Sequence, residues 1–393
     1  MPKKNVLFVI PTMDSGGVEV GMLEFARMNF ERKELNIFLL SSGGSMISRI
    51  KNFGVEYIPL NVKTKNPIKI FKNIEKIKGV ILEKNINIVQ VESRAPAWSC
   101  YYACRDLNIP LITVVQFNGL FKKNNFLKKI YNSIMFKGNP IVAVSNFVRQ
   151  IALVEYRSLV YEKNFRRSIE IVHRGIDTNI YNQESVLQNR KLILQSKLKL
   201  PEDKIIITLP ARFSQQKGQE YFLNVLRHIK YRNYLCLMVG DVKKNSKHIE
   251  KIKDLIYKFN LQEYIKIHDN IDDMPALYAL SNIVVSPNIG PESFGRVSIE
   301  AQSMGKLFIG TATGATCETV NDGITGFLAP ENNAREFAKI LDRVINLSEE
   351  KKLEISEQSR RNVIENFSFD VMYNKMLNLY NKIEEYEDFG CWH

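Results

Sequence analysis

Two glutamates, an arginine and a lysine are the groups in this chain whose types and spacing most suggest shared chemistry. Glu292 and Glu300 have seven residues between them in Gly290-Pro291-Glu292-Ser293-Phe294-Gly295-Arg296-Val297-Ser298-Ile299-Glu300. The Gly-Pro pair predicts a turn and Ser293 is a candidate helix cap, so the amides of Phe294, Gly295 and Arg296 are expected to face a ligand. Gly295 is expected to leave that approach unobstructed. Glu292 then stands at the mouth of the site, and Glu300 reaches it from nearly two turns inside the helix. Each carboxylate also has a plainer use. Glu300 can pair with Arg296 at i,i+4, and Glu292 can sit against the positive end of the helix. Arg212 and Lys217 lie five apart in Pro210-Ala211-Arg212-Phe213-Ser214-Gln215-Gln216-Lys217-Gly218. A planar guanidinium and a point-charge ammonium in one loop can neutralise a diphosphate without a metal, or can simply be solvated. Gly16-Gly17, between a strand and a helix, allows a phosphate to approach free amides, or serves as an ordinary turn. Its spacing is neither the dinucleotide fingerprint nor a Walker loop.

These loops need a scaffold, and the hydrophobic pattern describes one. Short, continuously apolar runs predict buried parallel strands near Val6–Ile10, Ile37–Ser41, Glu56–Leu60, Ile88–Val91, Leu111–Val115, Ile141–Val144 and Glu170–Val172. After a polar stretch the series restarts near Ile205–Leu209, Leu235–Val239, Tyr264–Ile267, Ile283–Ser286 and Leu307–Thr311. Helical periodicity lies between, as in Val18, Met22 and Phe25. The fold class is therefore α/β, with two facing, doubly wound Rossmann-like domains. Each candidate loop follows a strand, at the carboxyl edge where such sheets bind ligands. The segment from about 349 to 387 is charged and helical, and Phe367-Ser368-Phe369-Asp370 marks a fresh helix start. That last helix is expected to return to the first domain.

The chain has 393 residues, 45% of them hydrophobic and 25% charged, which excludes disordered and disulfide-scaffold classes. Its formal charge of +13 is unevenly placed. Residues 1–180 hold 27 Lys and Arg against 14 Asp and Glu, whereas residues 181–393 hold 28 of each. The first half is thus expected to meet an anion. Lys63 to Lys78 interleaves lysines with Ile68, Phe71, Ile74 and Ile77, and Phe121 to Lys137 does so with Phe126, Leu127 and Ile130. Both suit an anionic membrane surface, or amphipathic helices with their apolar stripes on the core. A nucleic-acid partner is not expected, since no recognition motif accompanies the charge. The five cysteines and five histidines show no ligand spacing, so no metal site is expected. No apolar run approaches a membrane span, and no signal-peptide core is visible, so the expected location is cytoplasmic or peripheral.

The paired glutamates, Arg212 with Lys217-Gly218, the Gly16-Gly17 loop and His173-Arg174-Gly175-Ile176-Asp177 together resemble a family 4 retaining glycosyltransferase of GT-B architecture. Glu92-Ser93-Arg94-Ala95-Pro96-Ala97-Trp98-Ser99 and Tyr131-Asn132-Ser133-Ile134-Met135 look most like the bacterial enzymes that build lipopolysaccharide cores. The resemblance implies an acceptor-binding domain at 1–185, a nucleotide-sugar donor domain at 186–366 and a C-terminal helix at 367–393 crossing back to the first. It implies that Arg212 and Lys217 hold the donor diphosphate with the amides at Phe294 and Gly295, and that Glu300 holds the ribose. Glu292 would contact the transferred sugar, Gly16 and Gly17 would close over the phosphates, and the loop after Ile267, with His268, would reach the base. No metal or other cofactor is implied; the nucleotide-sugar is a substrate. The implied acceptor is an acidic or lipid-linked glycan, at the cytoplasmic face of the inner membrane.

Three positions depart from the family pattern. Asn118 and Gln90 stand where two histidines are usual, and neither can titrate near neutrality. Ala315 replaces the second glycine of a Gly-Gly pair. Asn118 is read as the acceptor-side residue that would orient a sugar hydroxyl. Asn118 and Gln90 motivate the alternative of a catalytically degenerate GT-B protein that binds a glycolipid or partner without turnover.

Overall fold

The computed structural model describes residues 3–14, 16–116, 126–162, 165–166 and 168–385. The chain divides into two compact units, Met1–Gly175 with Phe369–His393, and Ile176–Ser368. The boundary falls ten residues before the expected position of 185, within the His173–Asp177 motif. There the Ile176 amide donates to the Phe367 carbonyl at 3.0 Å and Ile176 bridges Ser368, so the chain enters and leaves the second unit side by side.

In the first unit the strands are β1 (Lys4–Val9), β2 (Leu35–Ser41), β3 (Glu56–Pro59), β4 (Ile88–Val91), β5 (Leu111–Val115), β6 (Ile141–Ala143) and, after a two-stranded ribbon of β7 (Tyr161–Glu162) and β8 (Phe165–Arg166), β9 (Ile169–Ile171). The parallel sheet runs β3-β2-β1-β4-β5-β6-β9. The order reverses between β1 and β4, which opens a crevice at their carboxyl ends. Helix Phe369–Asn381 packs on helix Gly17–Arg32 in this unit. The Phe25 and Tyr373 rings lie 4.8 Å apart, the Tyr373 hydroxyl donates to Asn29 Oδ1 at 3.0 Å, and Arg32 pairs with Asp370.

The second unit repeats the plan with β10 (Ile205–Pro210), β11 (Tyr234–Val239), β12 (Ile265–His268), β13 (Ile283–Ser286), β14 (Leu307–Thr311) and β15 (Phe327–Ala329). Its parallel order is β12-β11-β10-β13-β14-β15, with the reversal between β10 and β13. Strand β11 shows why such runs are continuously apolar. Tyr234, Cys236 and Met238 enter the core on one face, and Leu235, Leu237 and Val239 enter the core on the other. Both faces are covered by helices, so alternation with polar residues is lost.

Candidate active site

The loops after β10 and β13 flank the reversal point of the second sheet, and the chain locks them together there. The Ile289 amide donates to the Gln216 carbonyl at 2.9 Å, and Gln216 Nε2 donates to the Pro291 carbonyl at 3.4 Å. Gly218, with φ +69°, lies so close that a Cβ there would come within 1.8 Å of the Pro287 carbonyl oxygen. Only glycine meets both demands, a left-handed backbone and no side chain. This approach carries Lys217 onto Glu292, where Nζ and Oε1 form an ion pair, both groups largely buried. The other carboxylate oxygen accepts from Asn288 Nδ2 at 2.5 Å. Asn288 Oδ1 is buried with no hydrogen-bond partner among the described residues.

The Glu292 backbone is held from a third side. Its carbonyl accepts the Ala315 amide at 2.9 Å. Gly314, at φ +57°, sits where a Cβ would lie 2.5 Å from the Glu292 carbonyl oxygen. Ala315 has φ −74° and is fully buried, so the second residue of this pair needs no glycine. Asn288 and Gly314 were not among the residues singled out in the sequence. Their importance lies in backbone geometry and in a contact four residues back, neither of which leaves a compositional mark.

The helix that follows starts later than Ser293 would dictate. It spans Arg296–Ser303, its N-cap is Gly295 at φ +85°, and no side chain caps it. Ser293 is buried and is not the cap. Gly295 is required by its left-handed backbone, and the space its missing side chain leaves lies beside the Glu292 carboxylate, 3.8 Å from Oε2. Glu300 is buried with both oxygens engaged: Oε1 accepts from Arg296 Nε at 3.2 Å and Oε2 from the Tyr278 hydroxyl at 2.7 Å. Burial raises the Tyr278 phenol well above its ordinary range, and the Glu300 charge beside it acts in the same direction. The plainer pairing of Glu300 with Arg296 is therefore the one formed.

Arg212 lies in the same loop as Lys217, exposed, and its guanidinium makes no hydrogen bond or ion pair among the described residues. Its carbonyl is held by Gln219 Nε2 at 2.9 Å. His268 is the last residue of β12 rather than part of the following loop. It is two strands from β10, with Nδ1 2.8 Å from the Asp269 carbonyl. Among the described residues no group of three or more His, Cys, Asp or Glu could hold a metal ion.

In the first unit the crevice between β1 and β4 carries the glycine loop. Gly16 is the N-cap of helix Gly17–Arg32 in an extended conformation, φ −165°, which any residue adopts. A Cβ there would meet only the end of the Glu19 side chain, and nothing lies within 4 Å of one at Gly17. Burial raises the Glu19 carboxyl above its ordinary range; its own backbone hydrogen bond opposes this, Glu92 and Asp14 add to it, and Arg174 opposes. Beyond β4, Glu92 is buried and accepts from Arg174 Nη2 at 2.6 Å, Gln116 Nε2 at 3.1 Å and Gln90 Nε2 at 3.0 Å. Gln90 Oε1 accepts from the Tyr380 hydroxyl at 2.6 Å. Both ends of the Gln90 amide are thus spent inside the unit. Asn118 and the segment Phe121–Asn125 lie outside the described residues.

Two parallel, doubly wound α/β units, each with its candidate site at the strand-order reversal, define the GT-B class of fold. Glycosyl transferases group 1 matches residues 191–362, and Glycosyltransferase Family 4 matches residues 15–180. A glycosyltransferase from Rickettsia africae ESF-5, known by crystal structure, is 35% identical, with 98% of this chain and 99% of that one covered at a TM-score of 0.87. Anabaena Alr3699/HepE in complex with UDP and glucose shares the fold at 16% identity, TM-score 0.80, with 96% and 100% covered. The capsular polysaccharide biosynthesis glycosyltransferase CapM of Staphylococcus aureus is 22% identical over 97% of this chain and 98% of its own length. The chain belongs to glycosyltransferase family 4.

Proposed function

We propose that this glycosyltransferase moves a sugar from a nucleotide-sugar to an acidic or lipid-linked glycan, with retention and without a metal, in lipopolysaccharide or other surface-glycan assembly. The observation that carries this reading is the Lys217–Glu292–Asn288 cluster at the reversal point of the second sheet. A cation and an anion fixed against each other suit a reaction that separates charge. Lys217 and the exposed Arg212 would stabilise the departing diphosphate, a preorganised electrostatic effect. Glu292 would face positive charge developing at the anomeric carbon as its bond to the diphosphate oxygen breaks and an acceptor hydroxyl oxygen bonds on the same face, its proton passing to the departing diphosphate. Asn288 Oδ1 would accept from a sugar hydroxyl. Glu300, braced by Tyr278 and Arg296, would receive the ribose, with Ser293, Phe294 and Gly295 lining the approach and His268 nearer the base.

The donor class draws support from a structural neighbour solved with UDP-glucose. The acceptor class draws support from relatives whose names specify capsular polysaccharide and lipopolysaccharide. The first unit would bind the acceptor, with Gly16, Gly17 and Asn118 on its side of the reaction. Membrane attachment at the cytoplasmic face of the inner membrane is supported by apolar residues that the core leaves out: Ile68 and Phe71 are 67% and 69% exposed, and Leu127 is 73% exposed. No described helix is long and apolar enough to cross a membrane. The reading of a glycolipid-binding protein without turnover loses one of its two motives, because Gln90 serves as an internal strut. A panel of nucleotide-sugars in a thermal-shift assay, followed by transfer assays with the stabilising donor in EDTA, tests the proposal. Stabilisation by one donor and EDTA-resistant turnover are expected; binding with no transfer or hydrolysis would leave the non-catalytic reading standing.

A further inference from the structure

In the first unit, helices Pro67–Glu83 and Arg94–Leu107 and Tyr131 enclose an open cavity of about 650 Å³. Its walls are mainly apolar and aromatic: Ile70, Phe71, Ile74, Trp98, Tyr102 and Tyr131. Its acids are already neutralised, since Glu75 and Asp106 both pair with Lys78, at 3.0 and 2.6 Å, and Asp106 also pairs with Arg105. Lys65 at the rim has no acidic partner among the described residues, and its ammonium lies 5.8 Å from the centre of the Tyr131 ring. Lys63, Lys69 and Lys72 stand exposed nearby, also without an ion pair among the described residues. An ordinary domain helix turns its apolar stripe to the core. This one buries Ile74 and Ile77 but leaves Phe71 open at the cavity mouth.

From this we infer a binding site for an anionic amphiphile: the hydrocarbon chain of a membrane lipid phosphate enters the aromatic slot and its phosphate rests at Lys65. Charge complementarity selects the occupant. The walls are mainly apolar, so a hydrocarbon chain fits the slot while the charged phosphate stays hydrated at the rim beside Lys65, which has no acidic partner among the described residues. The volume falls in the usual range for small-ligand sites, roughly 300–1,000 Å³. The inference rests on the lipid-linked acceptor reading and places that lipid's chain in the first unit, apart from the donor site of the second.

Trp98 lines the slot, and the only other tryptophan is Trp392, so in a Trp392→Phe background Trp98 fluorescence reports occupancy directly. The full chain is titrated with dodecyl phosphate below its micelle threshold, with dodecyltrimethylammonium and inorganic phosphate as controls. A saturable change is expected with dodecyl phosphate alone, weakened about tenfold by Lys65→Glu and about tenfold by Phe71→Ser, two exposed positions whose replacement spares the core. No saturable response, an equal response to the cationic detergent, or unchanged affinity in both variants would overturn the inference. Donor-induced thermal stabilisation is measured on the same samples. Its persistence alongside a silent Trp98 would separate failure of this inference from failure of the glycosyltransferase reading.

Discussion

Lys217 and Glu292, seventy-five residues apart in the chain, form an ion pair at the reversal point of the second sheet, with the carboxylate's other oxygen held by Asn288. Lys217 is therefore no free ammonium awaiting a diphosphate. Its position is fixed by the protein's own carboxylate before any ligand arrives.

Replacing Lys217 by Met should leave Glu292 with Asn288 as its one side-chain partner among the described residues. Hydrogen bonds to charged groups contribute about 1.5–3 kcal/mol, so donor affinity should fall roughly 10–100-fold. Calorimetric titration of the wild type and variant with the matched nucleotide-sugar checks this; undiminished affinity would place the diphosphate elsewhere.

The glycine contacts predict a graded pair of stability effects. Gly218→Ala should destabilise the second unit by at least about 2 kcal/mol, because it adds a collision with the Pro287 carbonyl to left-handed strain. Gly290→Ala, where φ is +88° but nothing lies within 4 Å, should cost only about 1–2 kcal/mol. Urea unfolding of both variants gives the comparison, and equal losses would refute the steric account.

Gln90 offers a test in the first unit. Its amide joins Glu92 to Tyr380, and so ties β4 to the returning C-terminal segment. Gln90→Leu should strand a buried carboxylate oxygen contact and a buried hydroxyl, costing about 2–3 kcal/mol. Hydrogen exchange should then quicken in helix Phe369–Asn381. A variant as stable as the wild type, with that helix equally protected, would show that the strut is dispensable.

Asp273 predicts a pH dependence. Arg190 holds its carboxyl below the ordinary aspartate value of 3.8, helped by the Ala276 amide that it caps and opposed by desolvation. A depressed folded-state value contributes stability that is present above pH 3.8 and is lost as pH falls through the folded value. Arg190→Ala should therefore lose stability at neutral pH and show a shallower decline below pH 4 than the wild type. Thermal melts between pH 3 and 7 supply the measurement; parallel curves would exclude Arg190 as the cause.

Much of this architecture is legible in the sequence because parallel strands covered on both faces must be apolar throughout, as Tyr234–Val239 is. Short elements escape that signal: β15 has three residues and the ribbon of β7 and β8 has two per strand. The residue types of the site are legible as well, since Arg212, Lys217, Glu292 and Glu300 follow strands at a ligand-binding edge. Their pairing is not. Nothing in the spacing joins Lys217 to Glu292, and Ser293 carries the signature of a cap that Gly295 takes instead. Gly314 matters through its torsion, and Asn288 through reaching Glu292 one turn of loop later; both are properties of the folded backbone alone.

The most direct test of the central claim is single-turnover transfer from the matched nucleotide-sugar by Glu292→Gln, beside calorimetric donor binding by the same protein. If Glu292 faces charge that develops only as the sugar leaves, binding should change less than about threefold while the rate falls at least about 100-fold. A variant that transfers at the wild-type rate, or that loses affinity in full proportion to rate, would contradict the account.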